Sequence, residues 1–323
     1  MKAAQAAAPS GGKKHRTGPG LNPKRFWSYM KGHYWLYLFL LPAVLYLIIF
    51  HYVPLYGVQI AFRDYSPKFG ITGSPWVGLE HFKVFINSYF FGETFRNTLL
   101  LSLFTLVFSF PVPIILALLL NQMPGKRYRR VVQTVTYAPY FISMVVICGM
   151  IRIFLAPSSG LVNNLITMFG GQSINFMGEP GWFRTIYVVS GVWQNTGWNA
   201  IIYLAALSGV SPELHEAAVV DGASKLQRIW HIDIPSILPT AMILLILNAG
   251  SLMSVGFEKA FLLQTGSNIS TSEIISTYVY KAGIESQRYS YAAAVGLFNS
   301  VINLVLLLVM NAVSKKTTKS SLW

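Results

Sequence analysis

The sequence is short of charge, of acids and of cysteine. Charged residues fill 11% of its 323 positions, only 11 of them are acidic, and there is one cysteine, Cys148. A soluble domain carries about a quarter charged residues, so most of this surface faces something other than water. One thiol forms no intrachain disulfide and no cysteine-rich metal site, and Cys148 reads as a small buried apolar side chain. The six histidines, His15, His33, His51, His81, His215 and His231, fall in no H-E-x-x-H or similar spacing, so no metal is expected. A G-x-x-x-x-G-K-[ST] phosphate loop is also missing. The nearest fragment, Pro124-Gly125-Lys126-Arg127, has arginine where the magnesium-binding hydroxyl would stand, so the chain is not expected to hydrolyse ATP.

Apolar residues are what is plentiful, at 53%, with a mean hydropathy of +0.49. Apolar runs recur at lengths that cross a hydrocarbon core about 30 Å thick, which takes roughly 20 helical residues. The expected fold is all-α, a polytopic membrane protein with six transmembrane helices over about 35–62, 95–121, 131–155, 183–210, 237–257 and 291–313. Pro42 and Pro54 kink the first, and Pro111 and Pro113 stand in the middle of the second. Residues 1–34 read as a basic cytosolic tail and not a signal peptide, because the apolar run that follows is too long for an h-region. Residues 314–323 form a second cytosolic tail, and 35–313 form the membrane domain.

Sixteen lysines and arginines fall on one side: the N-terminal tail, the loop Lys126-Arg127-Tyr128-Arg129-Arg130, Lys225 with Arg228, and the C-terminal tail. The opposite loops hold eight, so the richer side, with both termini, is expected in the cytosol. The net charge of +14 arises from these flanks, without a recognition fold for nucleic acid. Arg152 lies near the outer end of its span, where its stem can snorkel.

The loop over 211–236 breaks the basic pattern. It reads SPELHEAAVVDGASKLQRIWHIDIP from Ser211, with Glu213, Glu216, Asp221 and Asp233 against two bases. Ser211 suits an N-cap, Pro212 the first helical position and Glu213 the positive end of the helix dipole. Gly222 allows a sharp turn, a second segment carries Leu226, Ile229 and Trp230, and Pro235 closes it. Ala217 and Ala218 are small enough for close approach by a partner. Together these predict a two-helix protrusion.

Glu216-Ala217-Ala218, three residues, Gly222, nine residues and Ile232-Asp233-Ile234-Pro235 resemble the E-A-A-x3-G-x9-I-x-L-P loop of binding-protein-dependent ABC importer permeases. Ile234 in place of leucine is the one departure. The resemblance covers about 35–313 and extends to the maltose-type carbohydrate branch. The runs YVPLYGVQIAF from Tyr52, SPWVGLEHF from Ser74 and IIYLAALSGV from Ile201 look like those of oligosaccharide permeases, uronate-rich cargo from alginate or pectin included. It implies the type I importer (MetI-like) fold in a bacterial inner membrane. The implied partners are a second homologous permease, two ATPase subunits that bind ATP and magnesium, an external solute-binding protein and membrane lipid. No cofactor belongs to this chain itself. Glu216, Ala217, Ala218, Asp221, Gly222 and Pro235 would lie at the ATPase contact, while the long basic N-terminal tail is not part of the shared pattern.

The fourth span supplies Trp193, Gln194, Asn195, Trp198 and Asn199 as candidates for the substrate path, and the fifth supplies Asn248. Amides and indoles suit sugars, whose hydroxyls need hydrogen bonds and whose ring faces stack on aromatics. The same amides serve equally as contacts between helices, worth roughly 0.6 to 2 kcal/mol each. Gly250, Ser251 and Ser254 fit a pathway or a tight helix crossing, and Tyr137 and Tyr140 a path or an interfacial anchor. A non-sugar cargo stays open. A stand-alone secondary transporter would show an ionisable residue at mid-depth or an inverted repeat, and a membrane enzyme clustered Asp, Glu or His; neither is legible.

Overall fold

The structure, a computed structural model, describes residues 32–317. The expected tails lie outside the described residues over 1–31 and 318–323. The chain divides into two units, 1–57 and 58–323.

The first unit consists of helix α1 (Tyr34–Leu47), a π-helical turn over Ile48–Tyr52 and the short helix Val53–Leu55. Pro54 has no N–H, and its ring presses on the carbonyl four residues back, so the wider π turn immediately before it takes up the mismatch. Trp35, Leu36, Phe39 and Phe50 are all exposed, as expected of side chains meant for lipid or a partner helix.

The second unit contains no strand among the described residues, only an isolated bridge between Arg63 and Trp76. Helices α2 (Tyr89–Ser109) and α3 (Pro111–Gln122) form one apolar run of 34 residues. Pro111 and Pro113 sit in the first turn of α3, so the carbonyls of Val107 and Ser109 lose their intrahelical donors there. Next come α4 (Lys126–Tyr137) and α5 (Met144–Phe154). A single span was expected over 131–155. Instead a 3-10 turn at Ala138–Phe141 and extended backbone at Ile142 and Ser143 bend the pair by 98°. Pro139 removes a helical donor at the bend, and the Ser143 hydroxyl accepts from Val146 N at 3.4 Å to restart the helix.

Helix α6 (Phe183–Ser208) is the hub of the unit. Its Phe183, Tyr187 and Val188 share a buried cluster with Leu101, Cys148, Ala260 and Leu263, and its Ala200, Tyr203 and Leu207 share another with Ala117, Leu118, Ile237 and Ala241. After α7 (Pro212–Val220), a helical run from Lys225 to Gly250 includes α8 (Ile234–Gly250). The span expected over 237–257 stops early: from Ser251 to Gly256 the backbone leaves the helix. Asn303 Oδ1 accepts from Met253 N at 2.8 Å, and Asn299 Nδ2 donates to Met253 O at 3.1 Å, so amides of the last helix hold this stretch. Helix α9 (Phe257–Leu263) follows, and α10 (Tyr289–Thr317) runs four residues beyond the expected end at 313.

Among the described residues four helices are long and apolar enough to cross a membrane, or five if the bent pair counts as one span. Helix α6 is not one of them. At 26 residues it reaches about 39 Å, but Gln194, Asn195, Thr196 and Asn199 dilute its hydropathy.

Candidate functional site

Two features stand out, a hairpin at one end of the second unit and a cavity inside it. The hairpin begins where Ser211 Oγ accepts from Glu213 N at 3.3 Å and Pro212 opens α7. It turns at Gly222, whose φ of +79° is left-handed. Gly222 N donates to Val219 O at 3.0 Å and Ala223 N to Ala218 O at 2.8 Å, the double bond of a Schellman ending. Ser224 and Gln227 then cap each other reciprocally, Ser224 N to Gln227 Oε1 at 2.7 Å and Gln227 N to Ser224 Oγ at 3.4 Å. So short a segment holds one shape because both helix ends at the turn are satisfied locally.

Glu216, Ala217, Asp221, Gly222 and Pro235 are exposed on it, and Ala218 is half-buried. Beside them Val219, Val220, Leu226 and Trp230 are exposed as well, with Val220 at 88% and Leu226 at 77%. Bare apolar side chains on a polar protrusion mark a surface meant to be covered. One expectation needs correction. Pro235 does not close the second segment. The run continues through a π turn at Ile229–Asp233 into α8, and that wider turn just before Pro235 takes up the mismatch of its missing N–H. Asp233, one of the four acids of the loop, is 0% exposed.

The cavity, of about 580 Å³, is walled by α2, α3, α6, α8 and the non-helical stretch after α8. Of the sequence candidates, Trp198, Asn199, Asn248, Ser251 and Ser254 line it. Trp198 stacks on Tyr140, ring centroids 4.5 Å apart and planes within 3°. Trp193, Gln194 and Asn195 lie elsewhere. Gln194 is buried and donates to Ile142 O at 3.3 Å, steadying the bend, and Asn195 bonds its own helix at Gly191 O, 2.9 Å. Ser102, Thr105, Ser109, Tyr187 and Tyr203 also line the cavity and were not singled out from sequence. Ser102, Thr105 and Ser109 recur at three and four residues, one helical face, and that spacing could have found them. No lining residue is acidic or basic.

Behind this wall stands Lys259, 4% exposed. Its Nζ donates to Tyr187 O at 2.7 Å and lies 4.7 Å from the Tyr187 ring centre, while Tyr187 Oη donates to Gly256 O at 3.3 Å. Arg152 reaches the neighbouring Leu262 carbonyl. Burial pushes the Lys259 ammonium down to about 8, since one carbonyl and a ring do not replace its hydration. Between about 8 and the ordinary value of 10.5 the unfolded chain binds the extra proton, so stability rises with pH across that window. Lys259→Met is therefore expected to raise the thermal midpoint of the purified protein at pH 7 by a few degrees, about 1–2 kcal/mol, and to lose this advantage near pH 10.5. A lower midpoint at pH 7 would mean that the ammonium is well satisfied where it lies.

Residues 109–319 match the model of the binding-protein-dependent transport system inner membrane component family. Protein LplB of Bacillus subtilis is 42% identical over 96% of this chain and 98% of its own length. The polygalacturonan/rhamnogalacturonan transport system permease protein YteP of the same organism is 44% identical over 87% and 88%. A chain in the crystal structure of the bacterial alginate ABC transporter in complex with an alginate pentasaccharide-bound periplasmic protein superposes with a TM-score of 0.85. It is 40% identical over 92% of this chain and 100% of that one. The matched region holds α6, the hairpin and most of the cavity wall, and the chain belongs to the binding-protein-dependent inner membrane permeases of ABC importers.

Proposed function

We propose that this permease carries uronate-rich oligosaccharides, delivered by an external solute-binding protein, together with a second homologous permease and two ATPase subunits that bind the ATP and magnesium. The observation that carries the reading is the hairpin. It is rigid at its turn, bare of cover at Val219, Val220, Leu226 and Trp230, and built on the Glu216-Ala217-Ala218…Gly222 spacing. A permease of this family works with separate ATPase subunits, and this surface is shaped to receive one.

The four long apolar helices, the bent α4–α5 pair and α6 make six spans, with the hairpin and both termini in the cytosol. Closure of the ATPase pair moves the hairpin as a unit and re-aims the spans toward the binding protein, which is alternating access. Within the cavity the Ser102, Ser254, Asn199 and Asn248 side chains offer hydrogen bonds to sugar hydroxyls, and Trp198, steadied by its stacking on Tyr140, offers an aromatic surface. A wall without fixed charge does not trap a polyanion, which suits a conduit that must release what it admits. Discrimination is then left to the binding protein and the second permease. Polygalacturonan and alginate, named for the relatives above, are both uronate polymers, and this supports the cargo class.

Two measurements test the reading. A cysteine at Ala217 is expected to crosslink to the ATPase subunit in the assembled complex, and a crosslink reaching only lipid or water overturns the docking role. Vesicles holding the complex are expected to take up labelled uronate oligosaccharides with ATP and binding protein, at least about tenfold faster than neutral ones of equal length. Equal rates overturn the cargo class and leave the docking role standing.

A further inference from the structure

The fully buried carboxylate of Asp233 joins three segments that the chain places far apart. Gln122, the last residue of α3, donates from Nε2 to Asp233 Oδ2 at 2.9 Å. His215, in the first helix of the hairpin, places Nε2 3.3 Å from Asp233 Oδ1, an ion-pair distance when the ring is protonated. Asp233 itself ends the π turn that leads into α8. A carboxylate taken wholly out of water costs several kcal/mol unless it is paired, and an apolar residue would fill the same space without that cost. The I-x-L-P pattern leaves this position open, so the loop pattern does not require an acid there. The surrounding contact is apolar, with Ile229 and Ile234 packed against Ala117, Leu118, Ala200 and Ile237. Oδ1 has no hydrogen-bond partner, so the His215 ring beside it is the one side chain placed to answer that oxygen. Apolar contacts can slide, whereas a buried carboxylate bonded by Gln122 on one oxygen and faced by His215 on the other fixes direction.

We propose that the His215–Asp233–Gln122 clasp is the joint through which movement of the hairpin reaches α3 and α8, with Asp233 as a positioning residue of the transport cycle. The inference rests on the reading that the hairpin docks on an ATPase. The clasp ties the first hairpin helix to both helices that wall the cavity on that side, so a push on α7 is delivered to α3 and α8 together. Without it, the ATPase still docks on the exposed face of the hairpin and still turns over, but its stroke is lost in slippage at the apolar contact.

The test uses the full complex in vesicles with its ATPase and binding protein, measuring ATP hydrolysed per oligosaccharide taken up and the ATPase retained on purification. Asp233→Asn keeps the shape and an acceptor for Gln122 but loses the second carboxylate oxygen, the one that faces His215. His215→Ala removes the other partner from the half-exposed side. Each is expected to raise the ATP cost per sugar about tenfold, within the span of coupling free energies between sites, with the ATPase retained. The double variant is expected to be no worse than either single, and His215→Gln, which restores a donor, to return most of the coupling. An unchanged ratio in both singles, or additive losses in the double, overturns the clasp. If Asp233→Asn does not assemble, His215→Ala and His215→Gln carry the test alone. Absence of the ATPase from the wild-type complex would instead overturn the docking role.

Discussion

Gly222→Pro is expected to reduce ATP-dependent uptake to background while the permease still inserts into the membrane. At φ +79° Gly222 occupies a region that proline, fixed near −65°, cannot enter. Its N–H also donates to Val219 O at 3.0 Å, and proline has none to give. Local strain and a lost Schellman bond together cost about 3 kcal/mol, more than a nine-residue helix can absorb, so the turn must rearrange. The damage stays local. None of the three buried clusters draws a residue from the turn at 221–224, so the spans keep their packing. Gly222→Asn is the control, because asparagine tolerates the left-handed region and keeps its N–H; it should retain most of the uptake. The measurements are uptake into vesicles and recovery of ATPase with the purified permease. Normal uptake by Gly222→Pro would remove the hairpin from the transport cycle.

That the hairpin could be read from the sequence at all follows from its construction. Ser211, Pro212 and Gly222 act on their own neighbours, through a cap, a first-turn position and a left-handed turn, and such effects need no knowledge of the rest of the fold. The apolar runs were legible for a similar reason, since a helix in lipid must satisfy its backbone within itself. What escaped depended on which way side chains point across helices. Hydropathy placed one span over 131–155, because it counts apolar residues and is blind to the 98° bend that Pro139 and Ser143 introduce. It ended the fifth span too late, because Leu252, Met253 and Val255 are apolar although their stretch has left the helix, with the Met253 backbone held by Asn299 and Asn303. Asp233 could only be counted among the acids of the loop, because Gln122, which binds it, lies 111 residues away. Trp193, Gln194 and Asn195 illustrate the same limit. In one short stretch of α6, Trp198 and Asn199 face the cavity while Gln194 turns to the carbonyl of Ile142. Only the packing of α4 and α5 decides between those roles.

That packing sets the second large effect. Replacing Gly197 with alanine normally favours a helix by up to about 1 kcal/mol, but at this position the sign should invert. A Cβ built there would stand 2.0 Å from Thr136 O and 2.4 Å from Thr136 C. Those are backbone atoms of α4, so no side chain can swing aside, and the two helices must separate. Overpacking of this kind costs about 1–3 kcal/mol for alanine, and more for leucine, which should leave little assembled complex. Gly149 in α5 is the matched control. A Cβ there would meet no atom within 4 Å, and Gly149→Ala should melt as the wild type does or slightly higher. The functional consequence follows from position. Gly197 precedes Trp198, whose ring lies 4.5 Å from Tyr140 just past the end of α4, so moving α4 away opens the aromatic wall of the cavity. Whatever Gly197→Ala protein survives purification should therefore show slower uptake at an unchanged ratio of ATP to sugar, in contrast to the hairpin variants, whose ratio rises. If Gly197→Ala assembles, melts and transports like the wild type, α4 and α6 do not approach as closely as their backbones indicate, and the cavity wall at Trp198 is built some other way.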